Sequence, residues 1–348
     1  MSPRVFSASR FAKHVGAGVV VVALLIAISP GIGSQPIGVI EAWKHWSDTD
    51  SSVYYIAFQL RLPAALKALV AGFSLSLAGA AYQTLFRNVL ATPYTLGIAS
   101  GGSLGALMAF KFGLTGVMLG LPGEAWCAFL GCSVVVALVF LMAGSRHRIA
   151  GNTLVLGGVT IGLFCSAMMM FVTYLADVRE TFFIVRWMMG SLETVGHVEV
   201  PRILIPLSVS WLVLFAYSRS LNQFDLGEEM AASRGVRPAT IYMTCIGSAS
   251  LATACIVSIC GPIGFVGLIV PQAVRLVLGR DHRLLLPTAA LWGGAFLIVC
   301  NWLTHLVPGW YSRLVGLNIA PFPLPIGVMT AVIGAPVFMF MLWHRGRP

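Results

Sequence analysis

The chain contains long apolar runs with no aspartate, glutamate, lysine or arginine in them. Ala68–Phe86, Asn88–Phe110, Ala125–Ser145, Ile149–Ala176, Leu284–Ser312 and Leu314–Trp343 are all of this kind. A helix rising ~1.5 Å per residue needs about 20 apolar residues to cross a hydrocarbon layer of ~30 Å. Each run meets or approaches that length. The chain is 348 residues long, 58% hydrophobic and 10% charged, with a mean hydropathy of +0.88. Soluble domains carry about 25% charged residues, so a water-soluble core is excluded. A transmembrane β-barrel is excluded by the same runs, because its strands are ~10-residue alternating segments. The expected fold class is all-α: a polytopic transmembrane bundle forming a single domain over residues 1–348.

The net charge of +10 does not indicate nucleic-acid binding, because the basic residues sit in short loops between apolar runs rather than on one tail or face. The cysteines, Cys127, Cys132, Cys165, Cys245, Cys255, Cys260 and Cys300, fall mostly within apolar runs and form no Cys-x-x-Cys pair. They read as small buried residues, not as metal ligands or disulfides. Arg4, Arg10 and Lys13 precede the apolar run Val15–Ile28 in the manner of a signal peptide. No clear small-x-small cleavage site follows, so this run is read as a retained first helix.

Ten spans are expected: about His14–Ser29, Leu60–Ala80, Thr92–Phe110, Glu124–Ala143, Asn152–Leu175, Pro201–Tyr217, two within Pro238–Val274, Leu284–Val307 and Leu324–Trp343. The seventh and eighth are separated at Gly261-Pro262, because the uncharged stretch is too long for one helix. An even count puts both termini on one side. That side then carries 14 Lys and Arg against 4 Asp and Glu, and the other side carries 8 of each. By the positive-inside rule the basic side is cytoplasmic. Glycine and proline cluster around Thr92–Gly102, Gly261–Gly267 and Pro323–Pro336. Such clusters serve either as irregular backbone lining a pathway or as small-residue helix contacts. The 261–267 cluster is expected to face a pathway.

The chain lacks the chemistry of a self-powered pump. Ion-coupled transporters need ionisable groups within the membrane, and the mid-span positions here hold almost none. No phosphate-binding Gly-x-x-x-x-Gly-Lys-Ser/Thr loop, His-Glu-x-x-His motif or Ser/His/Asp set is present. Energy for uphill transport would come from a partner. The longest hydrophilic cytoplasmic loop, Arg219–Arg237, is where such a partner would bind. Asp225 can cap a short helix through Met230–Ala232, and Gly235 can end it. The loop has two readings, docking of a motor subunit or lying on the membrane surface.

Four stretches carry a resemblance, in order along the chain: 61–106 (RLPAALKALVAGFSLSLAGAAYQTLFRNVLATPYTLGIASGGSLGA), 221–236 (LNQFDLGEEMAASRGV), 261–287 (GPIGFVGLIVPQAVRLVLGRDHRLLLP) and 324–342 (LPIGVMTAVIGAPVFMFML). Together they resemble the FecCD-type permeases of ATP-binding-cassette importers for iron-siderophores, haem and cobalamin. The similarity extends over roughly residues 55–343.

That resemblance implies a ten-helix permease subunit of a bacterial inner (cytoplasmic) membrane, paired as a homodimer or close heterodimer. Two cytoplasmic ATPases would bind below, and a periplasmic or extracellular substrate-binding protein would dock outside. The chain itself would hold no cofactor, since ATP and Mg would bind the ATPases. Segment 221–236 matches the ATPase-coupling segment, with Leu221, Asp225, Gly227, Glu228, Glu229, Arg234 and Gly235 as its contacts and turns. Arg61 matches an arginine that docks the binding protein, with Lys67 and Arg313 as further candidates. Phe164, Met168, Met169 and Met170 fall on a pathway-lining helix. Ser100, Gly151, Asn152 and Thr153 match gate positions. Three positions depart from the family pattern: Ala64, where an arginine is frequent, Gln272, where a histidine is frequent, and Asn301, where an aspartate is frequent.

The resemblance implies import of a metal chelate, most directly a ferric siderophore, by alternating access. Haem and cobalamin are the alternatives within the family. An ion-coupled secondary transporter is the alternative of another class, disfavoured by the missing intramembrane carboxylates. A membrane enzyme is disfavoured by the missing catalytic constellation.

Overall fold

The computed structural model describes residues 7–144, 151–315 and 323–345. The apolar runs become helices: α1 Ala8–Ile28, a short α2 Val39–Lys44, α3 Leu62–Leu85, α4 Ile98–Lys111, α5 Gly123–Gly144 and α6 Gly151–Tyr174. They are followed by α7 Val178–Met188, α8 Glu199–Ala216, α9 Ser218–Phe224, α10 Glu228–Ser233, α11 Gly247–Cys260, α12 Val266–Leu278, α13 His282–Val315 and α14 Ile326–Arg345. Among the described residues, 8 helices are long and apolar enough to cross a membrane. The shorter apolar helix α12 and the 14-residue α4 stand beside these.

Helix α3 is the centre of the bundle. Alanine, glycine and serine occupy much of its circumference, so it is buried on nearly every side, as expected for a helix apolar all round. It packs against α13, α12, α11 and α8. The α3–α13 contact is close because both helices present glycine: a Cβ on Gly72 would run into the Gly293 carbonyl. Buried hydroxyls tie the same helices together. Ser76 donates to the Ala289 carbonyl at 2.7 Å, Tyr82 meets Ser250 at 2.7 Å, and Trp211 donates to Ser74 at 3.1 Å. Apolar lipid tails provide little drive for helices to associate, so close packing and interhelical hydrogen bonds do much of that work.

Several boundaries differ from the sequence expectation. The span expected from Thr92 becomes helical only at Ile98. Thr92 and Thr95 bond each other's backbone, and Gly97 takes a left-handed φ of 70° at the cap. α3 continues to Leu85, and α13 continues past Pro308 to Val315. The chain enters α3 and α11 through π-wound stretches, Tyr55–Arg61 and Tyr242–Ile246. The structure adds α7, whose start is a capping box. Glu180 N–H donates to Asp177 Oδ1 at 2.7 Å, and Asp177 N–H donates to Glu180 Oε2 at 3.1 Å. It also adds a two-stranded hairpin, β1 Val117–Met118 and β2 Leu121–Pro122.

The break between α11 and α12 lies where expected, with Gly261 at φ 67° and Phe265 at φ 67°. One end of it is enclosed by protein. Ser191 N–H donates to the Cys260 carbonyl at 2.8 Å, and Gly327 N–H donates to the Met189 carbonyl at 3.0 Å. A Cβ on Gly261 would lie 2.6 Å from the Trp187 carbonyl. The Gly261 end of the irregular backbone is packed against the end of α7 and the start of α14, while a Cβ on Gly264 would meet nothing within 4 Å.

Candidate functional site

The segment 218–236 folds as two short helices joined at a glycine. In α9, Leu221 and Phe224 point inward. Phe224 meets Tyr242 edge-on at 5.3 Å, and the Tyr242 hydroxyl donates to the Leu85 carbonyl at 3.3 Å. Gly227, at φ 123°, permits the turn into α10. Asp225 does not cap α10, as the sequence suggested. It faces Arg280 at 3.8 Å, and Gly227 occupies the cap position. Glu228 and Glu229 lie in the first turn of α10, the end where backbone N–H groups favour negative charge. Gly235, at φ 84°, ends the helix as expected. Glu229 and Arg234 are exposed, as are the apolar Leu226 and Met230, while Ala231 is buried. The segment therefore presents two apolar side chains beside two charges on a surface otherwise anchored from within.

That anchor is a chain of buried and half-buried polar groups. Asn222 Nδ2 donates to Asp281 Oδ1 at 2.9 Å, which fixes the amide orientation. Asn222 Oδ1 then accepts from the His282 backbone N–H at 2.7 Å and the His282 ring Nδ1–H at 2.8 Å. With the proton on Nδ1, His282 Nε2 is free to accept the Thr84 hydroxyl, 2.6 Å away. Arg275 Nη2 donates to Thr84 Oγ1 at 3.2 Å. Arg283 holds Asp281 from the other side, Nη2 to Oδ2 at 2.7 Å and Nε to Oδ1 at 3.0 Å. Burial works to raise the Asp281 carboxyl, but the hydrogen bonds from Arg283 and Asn222 outweigh it and hold the group at about 2. The network joins α9 to the end of α3, to α12 and to the start of α13. Sequence reading missed Asn222, Thr84 and His282. The only available signal was a polar Arg-Asp-His run at a helix start.

At the opposite end of the helices, the residues expected to dock a partner are turned inward. Arg61 is half-buried, donating to the carbonyls of Pro30 at 3.1 Å and Gln35 at 2.6 Å. Lys67, only 3% exposed, pairs with Glu199 at 2.8 Å and donates to the Glu193 carbonyl at 3.3 Å. Lys67 is thus removed from any docking surface, because its charge is spent on segment 189–199, which lies across the top of α3. Gly196 N–H donates to the Gln59 carbonyl at 2.8 Å, and His197 contacts the Phe58 carbonyl at 3.0 Å. The Arg313 side chain lies outside the described residues. Beneath this segment are two cavities of about 520 and 300 Å³ that share Glu193, Asn301 and His305. Ala64 lines the smaller one, and Gln272 is buried within the bundle.

The expected pathway residues divide. Phe164 and Met170 are exposed on α6, and Met168 is partly buried. Met169 is packed with Leu107 and Ile184, so it is a contact between α6, α4 and α7 and not a lining residue. Ser100 sits at the α4–α6 contact, where a Cβ on Gly162 would be 3.8 Å from its hydroxyl. Thr153 is exposed. The side chains at 151 and 152 (Gly151, Asn152) lie outside the described residues.

The comparisons with known proteins agree with this architecture. The chain is 30% identical over 344 residues to a probable iron chelatin transport system permease protein of Helicobacter pylori, covering 95% of this chain and 97% of that one. It is 33% identical over 328 residues to the vitamin B12 import system permease protein BtuC of Escherichia coli, covering 92% and 89%. Its fold matches a solved inward-facing structure of a putative metal-chelate type ABC transporter with a TM-score of 0.79 and 28% identity, covering 96% of this chain and 99% of that one. Residues 20–344 match the FecCD transport family, and the chain belongs to that family of membrane permeases.

Proposed function

We propose that this chain is the permease subunit of an ATP-driven importer whose cargo is a metal chelate, with a ferric siderophore as the first candidate. It would work in the bacterial inner membrane with both termini in the cytoplasm, paired with a second copy of itself. Two ATPases holding ATP and Mg would bind the face formed by α9 and α10, and a substrate-binding protein would deliver cargo to the opposite face. Family membership supports the importer class. The names of its relatives, one for iron chelatin and one for vitamin B12, support the chelate class.

The observation that carries the reading is the bracing of the 218–236 segment. Leu226, Glu229, Met230 and Arg234 are exposed on a segment whose inner side is fixed to the two long helices α3 and α13 through Asn222, His282 and Thr84. A surface held this firmly transmits force from a partner into the bundle. A segment merely lying on the lipid surface needs no such brace. Alternating access follows when the partner's closing motion shifts the equilibrium between two packings of the bundle.

The test is ATP hydrolysis by the chain reconstituted in lipid nanodiscs with its ATPase, with binding protein loaded with ferric siderophore, haem or cobalamin in turn. Stimulation by the siderophore-loaded protein, lost in Glu228→Ala plus Arg234→Ala, is the expected result. Stimulation by haem or cobalamin instead would move the cargo within the family. No response to any loaded protein would sink the importer reading.

A further inference from the structure

We propose that the pocket between the end of α3, the end of α12 and the coupling segment binds the phosphate of an anionic phospholipid. The pocket has a volume of about 170 Å³ and is lined by Gln83, Arg87, Val89, Asp225, Arg275 and Arg280. Three guanidinium groups surround one carboxylate. Asp225 reaches Arg280 at 3.8 Å and offsets part of the charge, leaving a net excess of positive charge at the pocket. Planar guanidinium forks match phosphate oxygens two at a time. A pocket of this volume has room for a phosphate group and its first contacts.

Two further observations point to a ligand. Arg87 occupies a left-handed conformation, φ 49°, at the end of α3, where glycine would be the unstrained choice. The turn is fixed by Arg87 N–H to the Thr84 carbonyl at 3.2 Å and Asn88 N–H to the Gln83 carbonyl at 3.2 Å. It is the common helix-ending turn, with an arginine where glycine is the usual choice, and it keeps the Arg87 side chain at the pocket instead of continuing the helix. The second observation is apolar. The last turn of α12 leaves Leu276 and Val277 exposed, next in sequence to the lining residue Arg275, and Leu90 exposed, next in sequence to the lining residue Val89. A basic pocket whose lining residues are followed in the chain by exposed aliphatic ones suits a molecule with a charged head and acyl chains. Basic pockets between membrane helices on the cytoplasmic side bind anionic head groups in this way. A seated phosphate competes with Asp225 for Arg280 and so sets how tightly the end of α9 is held. Only the assignment of the lipid to the cytoplasmic leaflet rests on the proposed orientation.

The test uses the full chain in a neutral detergent, without ATPase, binding protein or ATP, so its outcome is independent of the transport reading. Native mass spectrometry follows titration with phosphatidylglycerol, phosphatidylcholine and, separately, inorganic phosphate. Phosphatidylglycerol is expected to bind in preference to phosphatidylcholine, and Arg87→Ala plus Arg280→Ala should lower that preference by about 30-fold. Arg179→Ala, an exposed arginine at the far end of the bundle, should leave it unchanged. Arg87→Lys plus Arg280→Lys keeps the charge and removes the fork, and should retain only part of the preference. A thermal melt of each variant confirms folding. Equal binding of the two lipids by the native chain, or a preference that survives the double alanine change, overturns the proposal. Inorganic phosphate binding as tightly as the lipid, with the same sensitivity to the arginines, would make this a free-anion site and overturn the lipid assignment.

Discussion

Asn222 Oδ1 accepts both the backbone N–H and the ring Nδ1–H of His282, at 2.7 and 2.8 Å. One amide oxygen therefore fixes the start of α13 and the tautomer of its first residue, and the other end of the amide is fixed by Asp281. Asn222→Ala strips partners from three groups at once. Each buried donor left unsatisfied costs about 1–3 kcal/mol, so the variant should melt lower and hydrolyse ATP without coupling it to cargo. Asn222→Asp should be worse than alanine for coupling, because it places a carboxylate against Asp281. Paired melting and transport assays in nanodiscs check both. A variant that melts and transports like the native chain would show that the brace is not needed.

The Asp281 carboxyl, held at about 2 against an ordinary 3.8, predicts a pH dependence. A carboxyl lowered in the folded state adds stability that is complete above its unfolded value. That stability is lost as pH falls through the folded value. The window is therefore about pH 4 down to 2, and the contribution near neutrality is at most about 2 kcal/mol. Hydrogen exchange in 221–226 should be flat from pH 8 to 5 after correction for intrinsic rates, and should accelerate below about pH 4. Asp281→Asn should remove the acid dependence while lowering protection at neutral pH.

The buried Lys67 pairs with the partly exposed Glu199 at 2.8 Å. Removing one partner of a fully buried pair costs about 3–5 kcal/mol, and less here because Glu199 keeps some contact with water, whereas replacing both can be nearly neutral. Lys67→Met should lower the melting temperature sharply, and Lys67→Met with Glu199→Gln should recover most of the loss. Because Lys67 is enclosed, neither change should act directly on the affinity for a substrate-binding protein. A loss of that affinity at unchanged stability would return Lys67 to the docking surface.

The glycines of the bundle should divide by what surrounds them. Gly72→Ala drives a methyl into the Gly293 carbonyl across the α3–α13 contact, with an overpacking cost of about 1–3 kcal/mol. Gly247→Ala meets nothing within 4 Å, and should be neutral or stabilising by up to about 1 kcal/mol. Melting of the two variants side by side distinguishes contact glycines from incidental ones. Equal effects would refute the close-packing account of α3.

The sequence by itself determined the fold class, a bundle of membrane-spanning helices. The reason is solvation: an uncharged run of about 20 residues has one stable destination, and charge near its ends is costly to move across a bilayer. It also located the α11–α12 break and the end of α10, because glycine at a left-handed position is a local property. What only the tertiary structure decided is which face each polar residue uses. Arg61 and Lys67 lie near a helix end and read as docking residues, yet Arg61 donates to the carbonyls of Pro30 and Gln35 and Lys67 is enclosed by segment 189–199. Met169 reads as part of a methionine lining and is a core contact. Asn222, Thr84 and His282 are far apart in sequence, so no local pattern marks them as partners. Their hydrogen bonds exist because the helix ends converge on one face, and that convergence is set by the close glycine packing of α3 against its neighbours.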